Sequence, residues 1–392
     1  MHTYKKTTFC ELTAKSIGTK RYLFVSDVHL GHSRTHTWYI TDTLNRQIFN
    51  VETMLDLDAI FIPGDLFDKL LNLPASEMDD INDWIERMLR LSKSTNTPIR
   101  ILEGTPSHDW KQSKLITKLN EIYQIHADVQ HYDELSIIDD KVLGITVGYV
   151  PDEWRESCDQ TTVEFKELLA TRGYSSVDMI VMHGMFEFQI PLAAAKSVSH
   201  FKEDVWEQWA NWAIVIGHDH RHKRKGKITV PGSWERLAHN EEDPKGCLVV
   251  DVSNGIVDIY HVLNELAMKY ITIDGVKKTD VEVITLAEKV LKTFGDLERP
   301  IGRLKVKYNR MYDISSRLSE WKNAYSEVVV EGSSESDDVK IEADLGGDFK
   351  LAGGAINITP DNIEGIILRE SEVDDDDLES FKREIELVMN TM

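Results

Sequence analysis

The sequence predicts an α/β fold: a layered core of strands and helices, later strands that complete a second sheet, and then a smaller β-α-β-α-β unit. Three observations lead there. Short β-branched and aromatic runs alternate with amphipathic helical stretches from residue 20 to about 215. After residue 227 the pattern turns to strands alone, and from about 265 strands and helices alternate again. At 392 residues, with 41% hydrophobic content and nine tryptophans, the chain can pack roughly two to three modules.

The strand-like runs are YLFVS (22–26), AIFIPG (59–64), PIRILEG (98–104), KVLGITVG (141–148), DMIVMHG (178–184) and WAIVIG (212–217), with helical patterns such as 77–93 and 160–170 between them. Such alternation gives sheets whose polar sites collect at the carboxyl ends of the strands. KITVPGS, GCLVVDV and GIVDIYHV follow as strands that could complete the second sheet. The small unit reads AMKYITI, helix DVEVITLAEKVLKTF, strand GRLKVKY, helix DISSRLSEWKNAY and strand EVVVE. In GRLKVKY, Arg303, Lys305 and Lys307 alternate with Leu304, Val306 and Tyr308, so one face of that strand is basic.

GSSESDD (332–338) reads as a solvated loop, and LGGDFKLAGGA (345–355) is too glycine-rich for a helix. Leu378, Phe381, Ile385, Val388 and Met392 recur by threes and fours, the stripe of a terminal helix. Asp374 to Asp377 sit where negative charge favours that helix's N-terminus. The expected divisions are 1–264, 265–331 and an acidic segment 332–392.

Net charge is -22, of which -13 falls from Glu331 onward. The first 330 residues therefore carry only about -9, which leaves room for a local basic site. Cys10, Cys158 and Cys247 lack CxxC spacing, against a disulfide framework or zinc ribbon. No apolar run approaches the ~20 residues of a membrane span, and MHTYKKTTFCELTAK lacks the apolar stretch of a secretory signal. A reducing cytoplasm is the expected compartment.

Five strand ends each deliver an aspartate or histidine: Asp27 and His29 in VSDVHLGH, Asp65 and Asp68 in PGDLFD, His108 and Asp109 in EGTPSHDW, His183 in VMHG, and His218 and His220 in IVIGHDH. Any one alone reads as a turn, a cap or a hydrogen-bonded core residue. Together they form a carboxylate and imidazole set suited to divalent transition metals, too large for one ion. His218 and His220 leave their strand at i and i+2, so both side chains address the same side.

The series DVH, GDLFD, GTPSHD, HG and GHDH resembles the motifs of the calcineurin-like metallophosphoesterases, over residues 22 to about 255. GSWERLAHNEEDPKG (232–246) looks like the corresponding element of the Mre11/SbcD nucleases, and the 265–331 unit is similar in position and pattern to their DNA-capping domain. The resemblance implies a two-sheet α/β sandwich metallophosphoesterase core with that unit as cap. It assigns Asp27, His29 and His220 to one metal, His183 and His218 to a second, and Asp65 to both. His108 takes the place of the catalytic histidine, and Asp68 fixes a ligand through hydrogen bonds. The implied cofactors are two divalent ions, Mn²⁺ first, with Mg²⁺ or Fe²⁺ as alternatives. The implied activity is phosphodiester hydrolysis at DNA ends, as a homodimer docked through C-terminal helices to a coiled-coil ATPase of the Rad50/SbcC type.

One motif departs. Where the family has an asparagine ligand before the histidine stands Ser107, preceded by Thr105 and Pro106 as extra loop residues. Ser107, a backbone carbonyl or water would then complete the second metal's shell, or that metal binds loosely. Arg221, Lys223, Arg224, Lys225 and Lys227 follow the histidine pair and are expected to grip flanking DNA phosphates, a solvated hairpin tip being the plainer reading. Two rivals stand beside the nuclease: a phosphodiesterase of nucleotides or other small diesters, and a DNA-binding scaffold weak in catalysis.

Overall fold

The structure, a computed structural model, describes residues 2–71, 77–190, 198–295 and 301–335. The expected α/β architecture is present. One sheet has seven strands in the spatial order His2–Thr8, Ile256–Leu263, Gly246–Ser253, Lys20–Phe24, Ala59–Pro63, Ile99–Leu102 and Val129–Tyr132. A second has six: Lys223–Lys225, Ile228–Val230, Ala210–Gly217, Val177–His183, Ile145–Val150 and Ser136–Asp140. The strands that precede the candidate ligands run parallel within each sheet. Their carboxyl ends therefore meet along one edge of the molecule.

These strands are largely apolar because both faces are covered. In Ala59–Pro63 every residue is buried. Tyr22, Phe24, Phe61, Leu102, Val147, Tyr149, Met179, Val181 and Val215 fill the space between the sheets. The alternate residues Leu23, Ile60, Ile62, Ile99 and Ile101 pack with Leu44, Trp84 and Ile116 of the outer helices Thr37–Gln47, Glu77–Thr95 and Lys114–Ile122. Phe165 of helix Cys158–Arg172 and Trp206 cover the outside of the second sheet with Ile180, Ile214 and Ile216. Arg100 Nε donates to Asp140 Oδ2 at 2.7 Å, a buried ion pair that links the first sheet to the second. Losing either partner would strand a charge in the core.

Two expectations are corrected. The strands after residue 227 divide between the sheets: Ile228–Val230 joins the second, paired with Lys223–Lys225, whereas Gly246–Ser253 and Ile256–Leu263 form a hairpin beside Lys20–Phe24 in the first. Runs of apolar residues show that these strands are buried without showing which sheet they join. The loop expected from Gly332 is strand as far as Glu335, since Val328–Glu335 continues its parallel register with Gly302–Asn309. A Cβ on Gly332 would come 2.3 Å from Leu318 Cδ1, so the glycine lets helix Ser315–Ala324 lie against the strand.

The third sheet, Lys269–Gly275, Gly302–Asn309 and Val328–Glu335, is parallel, with helix Asp280–Gly295 before its second strand and Ser315–Ala324 before its third. Val283, Leu291, Phe294, Leu304, Val306, Trp321, Val328 and Val330 make its own core. It is anchored to the larger unit through buried polar groups. The Tyr270 and Thr35 hydroxyls are 2.8 Å apart, and Met268 N donates to Glu235 Oε2 at 2.8 Å. Among the described residues no helix is long and apolar enough to cross a membrane. The three cysteines are free. The glycine-rich stretch 345–355, the Asp374–Asp377 run and the terminal stripe lie outside the described residues.

Candidate metal centre

The loops after the first two parallel strands of the larger sheet run side by side. Val28 N and His29 N donate to the Asp65 carbonyl, and Leu30 N donates to that of Leu66. This pairing holds Asp27, His29 and Asp65 at φ of 51°, 54° and 49°, and His218 lies at 98°. Left-handed backbone costs a non-glycine residue roughly 1–3 kcal/mol and is found where a site demands it. The turns also need their glycines. A Cβ on Gly64 would fall 2.2 Å from His183 Nδ1, on Gly104 2.1 Å from Asp65 N, and on Gly217 2.3 Å from the Pro63 carbonyl.

Three ligand groups result: Asp27, His29 and His220; His29, Asp65 and His108; Asp65, His183 and His218. Within each group the ligand atoms lie within 4.8 Å of one another. His29 and Asp65 each belong to two groups, so the three are continuous. Asp27, His29, Asp65 and His183 are all 0–1% exposed. Residues from five strand ends, spread over nearly two hundred positions, thus come together.

Hydrogen bonds orient the imidazoles. His29 Nδ1 lies 3.2 Å from Asp68 Oδ1, His220 Nδ1 2.8 Å from Glu241 Oε1, and His183 Nδ1 2.7 Å from the Pro63 carbonyl. Each of those oxygens accepts, so each Nδ1 carries the hydrogen and each Nε2 points into the centre. His29 Nε2 and His220 Nε2 then face each other at 3.1 Å, and His183 Nε2 faces Asp65 Oδ1 at 3.2 Å. Such pairs require a positive charge between them, a proton or a metal ion. Burial opposes charge on His220, yet Glu241 pushes its pKa up to about 9. Burial likewise opposes the ionised Asp65, but His183, His108 and His29 hold its carboxyl well below the usual range. Buried carboxylates and oriented imidazoles suit divalent cations, and the residues present fit them.

The segment from Ser233 to Lys245 braces this edge. Besides Glu241 on the His220 ring, Ser233 N and Lys245 Nζ both donate to the His220 carbonyl, at 3.1 and 2.9 Å. Asp109 is buried behind the third loop and accepts from Phe67 N at 2.9 Å and Gly104 N at 2.7 Å, tying that loop to the second. Burial, then the nearby Asp65 and Glu103, push its pKa up to about 8. His108 Nδ1 is 3.2 Å from Asp65 Oδ2, with the side chain 19% exposed at the open side.

Position 107 is corrected. Pro106–Asp109 is a short helical turn, and Ser107 is exposed on it, its carbonyl accepting from Trp110 Nε1 at 2.6 Å. Thr105, treated in the sequence as a loop spacer, instead turns toward Asp65, His183 and His218. The basic run includes the antiparallel pair Lys223–Lys225 and Ile228–Val230, and much of its charge is used internally. Lys223 pairs with Asp219 at 2.7 Å, Lys225 with Glu203 at 3.3 Å, and Lys227 Nζ donates to the Glu207 and Ala210 carbonyls. Arg221 Nη2 donates to the Asn240 carbonyl at 3.0 Å, while Arg224 lies 5.4 Å over the Tyr4 ring. In the small sheet Arg303 pairs with Glu331 at 2.7 Å.

Sequence reasoning missed Thr105, Asp152 and Glu241. Asp152 had a signal, since it too follows a strand. Ending that strand at residue 148, two positions short of the observed Ile145–Val150, hid it. Glu241 belongs to an element noted only for its likeness, and nothing local marks it as a partner of His220.

No protein-family model matches this chain. Among solved structures, TT1561 of Thermus thermophilus is similar over 59% of this chain and 94% of its own, at 13% identity and a TM-score of 0.35. A second crystal structure is similar over 62% of this chain and 98% of its own, at 10% identity and the same TM-score of 0.35.

Proposed function

We propose that the chain is a metal-dependent phosphodiesterase of the calcineurin-like type, and within it a Mn²⁺-dependent nuclease of the Mre11/SbcD kind acting on DNA ends. The observation that carries the reading is the sharing of Asp65 between the His29–His108 group and the His183–His218 group. In it Asp27, His29 and His220 would hold one cation, His183 and His218 a second, and Asp65 would be shared. Two such cations would supply the Lewis acidity and water activation that phosphodiester hydrolysis needs. Asp68 and Glu241 keep the Nδ1–H of His29 and His220 engaged, so that their Nε2 atoms stay aimed inward. His108, backed by Asp65 and set at the open side, supplies the proton or positive charge to the leaving oxygen. The capping role of the small sheet, a homodimer and a coiled-coil ATPase partner belong to the same reading. The basic strand residues Arg303, Lys305 and Lys307 support contact with a DNA backbone.

One observation favours the small-diester alternative: the lysines next to His220 are largely engaged within the protein. Turnover of duplex and single-stranded DNA beside bis(p-nitrophenyl) phosphate, across a Mn²⁺ titration, separates the two. The nuclease reading expects Mn²⁺-dependent cleavage of DNA, and His108→Ala lowering kcat by roughly 10²–10⁴-fold with Mn²⁺ binding retained. Turnover of the small diester alone would establish the alternative. No turnover of either, with His108→Ala indistinguishable from the parent, would leave a scaffold.

A further inference from the structure

We propose that the Thr105 hydroxyl, and no group at position 107, is the fourth protein ligand of the Asp65–His183–His218 cation, with Asp152 accepting the hydroxyl's proton. The inference rests on the two-cation reading above.

Thr105 Oγ1 lies 3.2 Å from Asp65 Oδ2, 3.4 Å from His183 Nε2, 3.3 Å from His218 Nδ1 and 3.1 Å from Asp152 Oδ2. Separations of this size from three ligand atoms are those of neighbouring donors around one small cation. The hydroxyl has one proton and these four atoms around it. In this reading the inward lone pairs of Asp65, His183 Nε2 and His218 Nδ1 would be directed at the cation, so Asp152 Oδ2, the nearest of the four at 3.1 Å, is the acceptor left for the hydroxyl. Asp152 Oδ1 accepts from Glu153 N at 3.0 Å, which leaves Oδ2 facing Thr105 and 3.7 Å from His218 Nδ1.

The local backbone serves the same end. Thr105 occupies the N-cap position of the Pro106–Asp109 turn, where a threonine oxygen ordinarily accepts from the turn's own N–H groups, and here it makes no such bond. Instead Thr105 N donates to Asp65 Oδ1 at 2.6 Å, which fixes the residue against the shared carboxylate. Pro106 at the first position of the turn fixes φ and carries no N–H to compete for that oxygen. Ser107, one residue beyond, is carried out to solvent.

A neutral hydroxyl is a weaker donor than an amide carbonyl. A carboxylate on its proton shifts electron density onto the oxygen, and Asp152 adds negative charge where the ligands are otherwise Asp65 and two imidazoles. The weaker half is expected to fill second, giving two separable binding steps.

The test is calorimetric titration of the full chain with Mn²⁺, with free Mn²⁺ followed in parallel by electron paramagnetic resonance. The parent should bind two ions. Thr105→Val, close to isosteric, should weaken only the second step by at least ~10-fold, and Asp152→Asn should weaken it by roughly 10–100-fold. Thr105→Ser should restore the step and Ser107→Ala leave it unchanged. An unchanged second step in Thr105→Val, its melting temperature matching the parent, would overturn the inference while the two-cation reading stood. So would a loss in Ser107→Ala. A parent that binds fewer than two ions would overturn both.

Discussion

The two halves of the centre are built differently. In the Asp27–His29–His220 half, His29 and His220 are each backed by a carboxylate on Nδ1, Asp68 and Glu241 respectively. In the Asp65–His183–His218 half, His183 is backed by the Pro63 carbonyl and a threonine hydroxyl stands among the ligands. A carboxylate behind an imidazole, being charged, raises its basicity more than a neutral carbonyl does. One half is thus furnished to hold a cation firmly. The other takes its negative charge chiefly from the shared Asp65 and the neighbouring Asp152.

The largest expected effect breaks the comparison, because in the proposed reading Asp65 serves both halves. Asp65→Ala should abolish both Mn²⁺ binding steps and lower phosphodiesterase turnover by about 10³-fold or more. A single ion retained at parental affinity would show that the halves do not share this residue. A smaller effect sharpens the comparison: Glu241→Gln should weaken the first binding step by roughly 10–100-fold and leave the second unchanged. Equal loss in both steps would mean that the halves cannot be separated.

A further effect lies in neither half and shows what a buried carboxylate does with hydrogen bonds for support. Glu235 accepts from Thr43, Asn264 and Met268 N at 2.7–2.9 Å, yet burial pushes its pKa up to about 7 from 4.5. Between those values the native state holds a proton that the unfolded chain has lost, so stability falls as pH rises and levels off above about 7. Glu235→Gln removes that slope. Relative to the variant, the parent should lose about 3 kcal/mol between pH 4.5 and 8, measured by urea unfolding with chelator present. A constant difference across that range would show that Glu235 is not neutralised on burial.

Much of this was legible in the sequence, for a definite reason. Asp27, His29, Asp65, His183, His218 and His220 each follow an apolar run, and parallel strands must carry their carboxyl ends to one edge. The strands and both helices of the 265–331 unit were also legible, because β-branched runs alternate there with helical stretches. Thr105 was not legible, since only the turn of Pro106–Asp109 decides which loop oxygen faces inward. Nor was the use of Lys223, Lys225 and Lys227, whose acceptors lie largely on other elements, as far back in the chain as Gln189. Which sheet received Gly246–Ser253 was equally hidden, since a strand buried on both faces looks the same in either.

The Ser233–Lys245 brace has a consequence for how the molecule bears load. At one end it grips His220 through Glu241, Ser233 and Lys245. At the other, Arg236 Nη1 donates to the Ala267 and Met268 carbonyls, just ahead of the third sheet. A pull on the small unit is therefore a pull on the same short segment that orients the His220 imidazole.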